Sequence, residues 1–543
     1  MIFLSTLLTS VLLTALAVPI LSRLALRYSL VDLPNERKVH TQPIPRVGGL
    51  AMAIGMVAPV VYWLGGDRFV EAFLAAAGVL VLFGLLDDCL DLAPGWKFVG
   101  QVTAACIIIF AGGVRIASLG MLAPDGFLLP GWLAVPITIF VIVGVTNAIN
   151  LSDGLDGLAG GISLLSLCCI GYLAYLEHHT SIGIIALSLA GATFGFLRYN
   201  TYPATIFMGD VGSQLLGFST ITLALSLTQG NSPLSPMLPL VILGFPILDT
   251  LTVMFGRMAR GRSPFLADKT HFHHALLGLG LHQTESVMMI YLIQVLLIAM
   301  AFVLRFYPDS LLLAGYLAFC CTVLLLFSRA RANQWQLKRM GPLAVADAFF
   351  SRLRDTPLIK YLFRPLELGL IGVLLLTAFM MGEIPVSASL AALAAAAGLL
   401  VLACFRSHWL GDGLKLTLYL VIPLLMYHGV QHFDEVSQLV PVVVYRLSFG
   451  ILALLNILVS RLTKRNHGFQ GTPLDFLVLF IALVAPNLPE SDIRVYSLGV
   501  VAAKIIICYF SCEVVFAESR GDLRRMMLGT LTLLVILAVR GIL

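Results

Sequence analysis

The chain has 543 residues, 59% of them hydrophobic and only 12% charged, with a net charge of +5. A soluble domain carries about 25% charged residues, so this composition excludes a water-soluble globular protein, and the small positive balance speaks for membrane orientation rather than nucleic-acid binding. Apolar runs of roughly 20 residues have the length of a spanning helix, while the alternation over roughly 10 residues that marks barrel strands is missing. The fold class expected is therefore an all-α polytopic membrane protein, because in lipid only helices or closed barrels satisfy the backbone.

Residues 1–30 have no basic residue ahead of their apolar run, and Arg23 and Arg27 follow it. That order reads as a retained first span with its C-terminal end inside, not as a cleavable signal peptide. Further apolar runs lie near 48–64, 70–87, 98–114, 132–148, 158–176, 182–198, 212–228, 236–256, 284–304 and 309–328, about eleven spans with the first. The loops at 30–47, 257–283 and 329–364 are rich in Lys and Arg, and those between them are not. The positive-inside rule puts the basic loops in the cytoplasm and the N-terminus outside. A basic linker at 331–364 separates a domain at 1–330 from a second membrane domain at 365–543, with about seven more runs near 365–381, 386–404, 413–427, 439–460, 474–486, 495–515 and 525–540. No internal repeat relates the halves. The nine cysteines lack metal-site or disulfide spacing; most lie in apolar runs and read as small buried hydrophobes.

Five polar clusters fall at the cytoplasmic ends of the first-domain spans. In the first, Asn35, Arg37, Lys38, His40 and Arg46 precede Gly48 and Gly49 in a proline-rich segment that reads as a fixed loop, the plainer alternative being a positive-inside anchor. In the second, Asp87, Asp88 and Asp91 share helical spacing at a helix end, where like charges repel. A cation would relieve them, and oxygen ligands suit Mg²⁺ or Mn²⁺; the alternative is a solvated helix end, with Lys97 the nearest cation. In the third, Asn147, Asn150, Asp153 and Asp156 sit among glycines, as a helix running into a turn would place them to meet a nucleoside; an Asx-capped turn is the alternative. In the fourth, Asp210 stands between Gly209 and Gly212 at a helix start, placed to offer a carboxylate to a metal or to cap the helix. In the fifth, His271, His273 and His274 follow Lys269. Helical spacing would put His271 and His274 on one side and turn His273 away, which suits phosphate better than zinc.

In this order the motifs RKVH…PRVGG, DDCLD, NAINLSDGLDGL, PATIFMGDVGS and SPFLADKTHFHH resemble the polyprenyl-phosphate N-acetylhexosamine-1-phosphate transferases, glycosyltransferase family 4, over residues 1–330. The His-Phe-His-His form is similar to the WecA-like branch rather than the MraY branch. The resemblance implies transfer of GlcNAc-1-phosphate from a UDP-sugar to undecaprenyl phosphate, with UMP released. The same chemistry on UDP-MurNAc-pentapeptide or another UDP-sugar is the runner-up, and a secondary transporter is the reading from a different class.

The resemblance also implies roles. Asp210 ligates Mg²⁺ (Mn²⁺ as substitute), with Asp87 and Asp88 beside the metal and Asp87 the candidate base. Asp156, His271, His273 and His274 join the catalytic set, and Lys38, His40, Lys97, Asn147, Asn150, Asp153, Asn200 and Lys269 bind substrate. The implied location is a bacterial cytoplasmic (inner) membrane, with the active site facing the cytoplasm, the bilayer, UDP-sugar and undecaprenyl phosphate as partners, no nucleic acid, and a homodimer left open. Residues 365–543 depart from the family pattern. Arg446 and Lys504 fall inside their spans, where the preferred expectation is snorkelling or an ion pair with Glu367 or Glu513.

Overall fold

The computed structural model describes residues 2–28, 30–32, 43–124, 126–229, 232–263, 271–333, 335, 353, 358–381, 384, 386–405, 409–431, 442–462, 498–519 and 521–542. Among these residues the chain is almost wholly helical, and it divides into two compact units, Met1–Leu337 and Lys338–Leu543. Eleven described helices are long and apolar enough to cross a membrane by length and composition. The chain is an all-α polytopic membrane protein.

In the first unit the helices are α1 (Ile2–Arg27), α2 (Gly48–Leu64), α3 (Arg68–Leu90), α4 (Pro94–Phe110), α5 (Gly131–Leu151), α6 (Leu158–Leu176), α7 (Thr180–Asn200), α8 (Gly209–Thr228), α9 (Leu238–Ile242), α10 (Gly244–Met258), α11 (Phe272–Gly278), α12 (Gln283–Leu304) and α13 (Asp309–Ala332). Each apolar run expected before residue 330 is occupied by helix, the run at 236–256 by α9 and α10 together. A two-residue ladder, Val31–Asp32 against Ile44–Pro45, closes the chain between α1 and α2.

Helix α8 is the axis of this unit, with 94% of its spanning window buried. Its neighbours reach it through residues without side chains. A methyl group on Gly84 of α3 would lie 2.7 Å from the Val211 Cα, and one on Gly49 of α2 would lie 2.1 Å from the Gly212 nitrogen. Any side chain there would push α2 or α3 off the N-terminal end of α8, where Asp210 sits. Close approach through small residues is the usual way to pack helices in lipid, where burial gives little driving force.

The break between α9 and α10 exposes backbone groups at membrane depth, where water is not at hand to bond them. Gln294 of α12 meets them: its Nε2 donates to the Ile242 carbonyl at 2.6 Å, and its Oε1 accepts the Phe245 amide at 3.4 Å. Ser166 of α6 donates to the same Ile242 carbonyl at 3.1 Å, and the Tyr316 hydroxyl to the Gly244 carbonyl at 3.0 Å.

In the second unit the described helices are α14 (Leu358–Met380), α15 (Val386–Cys404), α16 (Leu410–Gln431), α17 (Val442–Leu462), α18 (Leu498–Glu518) and α19 (Arg524–Ile542). The seventh expected run, near 474–486, lies outside the described residues. These helices share an apolar core that includes Leu366, Leu418, Ile422, Phe449, Val514 and Leu534. The expected pairing of Arg446 or Lys504 with Glu367 or Glu513 is not what forms. Glu367 pairs with Arg525 at 2.9 Å and Glu513 with Lys415 at 3.4 Å, because α19 and α16 bring those cations nearer.

Replacing Gln294 with Leu should destabilise the first unit by about 1–3 kcal/mol, the range for leaving a buried polar group unsatisfied. A thermal melt in detergent measures it, and an unchanged midpoint would show that the break does not need this brace.

Candidate active site

The C-terminal ends of α3, α5 and α7 and the N-terminal ends of α4, α6 and α8 meet at one end of the first unit, so polar residues distant in sequence converge. Asp67 caps the start of α3 by accepting the Phe69 and Val70 amides. The helix stops at Leu90, where Asp91 takes a left-handed conformation (φ 51°). Asp91 therefore leaves the helical face expected for it beside Asp87 and Asp88.

Asp87 and Asp210 are drawn together by one cation. Lys97, in the first turn of α4, places Nζ 2.6 Å from Asp87 Oδ2 and 2.7 Å from Asp210 Oδ2. The second Asp87 oxygen accepts the Leu92 amide at 2.9 Å. The second Asp210 oxygen accepts Asn150 Nδ2 at 2.7 Å, and the same amide donates to Ser213 Oγ at 2.7 Å. Lys97 thus offsets the charge of Asp87 and Asp210.

Asp88 is placed differently. Its two oxygens accept the backbone amides of Asp210 (3.2 Å) and Val211 (3.5 Å), so it caps α8. The helix N-terminus carries partial positive charge, which favours a carboxylate there. Gly209, the first residue of α8, has φ +66°, and a methyl group on it would strike the Asp88 carboxylate. Among the described residues no set of three or more His, Cys, Asp or Glu side chains converges as a metal-binding group.

Helix α5 ends at Leu151, and residues 152–157 turn into α6 through Gly157 at φ +80°. Asn147, in the last turns of α5, donates to Gln101 Oε1 at 2.7 Å and to the Val143 carbonyl at 2.9 Å. Asp153 stands exposed in the turn. The protein massed around it, and after that the charges of Asp210, Asp156 and Asp88, hold its carboxyl above the ordinary range. Asp156 accepts the Ala204 amide at 3.0 Å. Asn200 is buried: its Oδ1 accepts the Gly157 amide at 3.0 Å and its Nδ2 donates to the Ile206 carbonyl at 2.9 Å. Both ends of its amide serve to hold the 152–157 turn against the segment leading to α8.

The histidines do not follow helical spacing, because His271 precedes α11 in extended conformation (ψ 153°). Their rings form a series instead. His271 and His273 stack at 5.9 Å between centroids with 13° between planes, and His273 and His274 lie 4.3 Å apart. His271 Nδ1 is 2.9 Å from Asp249 Oδ2, and Asp249 Oδ1 accepts the Phe272 amide at 2.7 Å. The His273 ring lies over Gly154, where a methyl group would meet Nε2 at 2.5 Å. Burial, then the neighbouring His274, lowers His273 to about 4.

Asp249 and Gln101 belong to this constellation although the motifs did not contain them, and Ser213, the last residue of PATIFMGDVGS, was not singled out. Asp249 carried a signal as a lone carboxylate inside an apolar run, and Ser213 by its place in that motif, whereas Gln101 carried none. Lys38, His40 and Lys269 lie outside the described residues.

His273 gives a pH prediction with a definite sign. Its folded-state value lies below the ordinary 6.5, so its contribution is present above about 6.5 and is lost as pH falls toward 4. The loss is on the order of 2–3 kcal/mol. A His273→Gln protein should show a correspondingly flatter melting temperature against pH over that window, and an identical slope would exclude the assignment.

A model of glycosyl transferase family 4 matches residues 70–228, the stretch from α3 through α8 that supplies Asp87, Lys97, Asn150 and Asp210. The chain is 39% identical over 316 residues to a "probable undecaprenyl-phosphate N-acetylglucosaminyl 1-phosphate transferase" of Bacillus subtilis, covering 56% of this chain and 84% of that one. It is 35% identical over 324 residues to a decaprenyl-phosphate N-acetylglucosaminephosphotransferase of Mycolicibacterium smegmatis (52% and 78%). With the undecaprenyl-phosphate alpha-N-acetylglucosaminyl 1-phosphate transferase of Escherichia coli K12 the identity is 31% over 306 residues (54% and 83%). Likeness of this extent, over most of the length of several transferases, means that the chain belongs to glycosyl transferase family 4.

Proposed function

We propose that the first unit transfers GlcNAc-1-phosphate from UDP-GlcNAc to undecaprenyl phosphate. A lipid phosphate oxygen attacks the sugar-bearing phosphorus, the bond from that phosphorus to the bridging oxygen breaks, and UMP leaves. The observation that carries this reading is the sharing of one cation by Asp87 and Asp210, at a cluster also lined by Asn150 and Asp153. The relatives' N-acetylglucosaminyl specificity supports the choice of sugar.

Mg²⁺ fits these donors. It takes one or two carboxylates and completes its shell with water and substrate phosphate, and Asp87 and Asp210 already face a common positive charge. Asp210 and Asp87 would hold the ion, with Asp88 keeping Asp210 in place through α8. A bound divalent ion neutralises charge on the diphosphate as the phosphoryl group transfers. Lys97 supplies a second cation, a third of its side chain exposed, for the phosphates. Asn150 and Asp153 would line the nucleotide pocket, with His271 and His273 beside the sugar diphosphate. The lipid phosphate is already ionised near neutral pH, so Asp87 has little need to act as a base.

Basic loops at the site end of the helices support a cytoplasmic active site in a bacterial inner membrane, with the N-terminus on the opposite side. The polar groups cluster at one end of the helices rather than at mid-depth between repeats, which speaks against a transporter.

Purified protein given undecaprenyl phosphate, Mg²⁺ and a panel of UDP-sugars should release UMP from UDP-GlcNAc. UMP from none of them would remove the transferase reading, and UMP from another sugar alone would change the donor. Asp210→Asn, or chelation of the metal, should lower the rate about 100-fold or more, as loss of a charge-stabilising group does. A variant as fast as the parent would sink the metal assignment.

A further inference from the structure

Among the described residues of the second unit, one buried cation is answered by no acid. Lys504 lies in the second turn of α18, about 9 Å along the helix from its first residue, and 7% of its surface is exposed. Its ammonium rests over the rings of Tyr445, 4.3 Å from the centroid, and Phe449, 5.2 Å away, both on α17. The Tyr445 hydroxyl is engaged with that of Thr377 at 3.0 Å, so Tyr445 turns only its ring to the charge. Arg446, the next residue on α17 after Tyr445, adds a second positive charge beside the ring that holds the ammonium. Among the described residues Lys504 has no carboxylate partner: Glu367 is taken by Arg525, and Glu513 by Lys415 and the Tyr419 hydroxyl.

Two like charges on neighbouring helices near one end of a spanning bundle are unfavourable unless something uses them. Ring faces attract a cation but do not neutralise it. Arg446 lies on an exposed, apolar stretch of α17 with Val443, Val444, Leu447 and Ile451, a surface suited to lipid. An anion that reaches both charges from that side comes attached to an apolar chain.

We propose that Arg446 and Lys504 form a binding site for a phosphate carried on a lipid, which approaches along the exposed face of α17 and lodges its headgroup against the buried ammonium. A polyprenyl phosphate and an anionic phospholipid present the same chemistry. The site is independent of the reaction assigned to the first unit.

The test uses the full chain in nanodiscs of phosphatidylcholine, with undecaprenyl phosphate in one arm and phosphatidylglycerol in the other. Bound lipid is counted by native mass spectrometry. Arg446→Gln and Lys504→Met should each retain one lipid phosphate fewer than the parent, or hold it about tenfold more weakly, while UMP release by Arg446→Gln is unchanged. Loss in the first arm alone identifies a polyprenyl phosphate, in the second alone a phospholipid, and in both a site that takes either. Equal counts and affinities for parent and variants in both arms would overturn the proposal. If Lys504→Met does not fold, Arg446→Gln decides, since its side chain lies on the surface.

Discussion

One ammonium between two carboxylates sets the terms for the first unit. Asp87 and Asp210 come from helices that touch through Gly84, so their charges are forced close, and the repulsion grows as water is excluded. Lys97 offsets it at 2.6 and 2.7 Å. The surroundings keep this arrangement in register. Asp88 holds the first amides of α8, and Asn150 ties the far oxygen of Asp210 to α5. Asn200 and Asp156 brace the turn that carries Asp153. Several side chains named by the motifs thus hold this arrangement together, and the part-exposed Lys97 and the exposed Asp153 are the groups that the proposed reaction would offer to substrate.

The two units answer the same problem, polar groups in lipid, in different ways. The first meets a broken helix with Gln294, Ser166 and Tyr316, which supply donors and acceptors to the freed backbone. The second pairs Glu367 with Arg525 and Glu513 with Lys415, and among the described residues it leaves Lys504 against aromatic rings with no carboxylate. Broken backbone is a structural need with a structural remedy. A cation left without a counter-charge points to a ligand.

The spans were legible because an apolar run of bilayer length has few other uses, and the runs before residue 330 all hold helix. The site was legible as a set of motifs at one end of the helices, since polar residues at a membrane edge are costly to keep. What the sequence concealed were relationships across helices. Helical spacing put Asp91 beside Asp87, but the left-handed conformation that ends α3 removes it. Spacing turned His273 away from His271, but His271 precedes its helix and the rings stack. Gln101 and Gln294 look like ordinary polar residues in spans, and only their partners on other helices give them meaning.

The pairing of Asp87 with Lys97 bears on how the protein enters the membrane. The two residues lie ten apart at the hairpin joining α3 to α4, whereas α8 emerges from the ribosome more than a hundred residues later. A carboxylate beside lipid is expensive to insert alone. With its lysine in the same hairpin, Asp87 can be neutralised as soon as α4 is made, and Asp210 later joins a cation already in place. Order of synthesis and geometry of the finished site therefore agree, and the hairpin can be released to the bilayer without waiting for the rest of the chain.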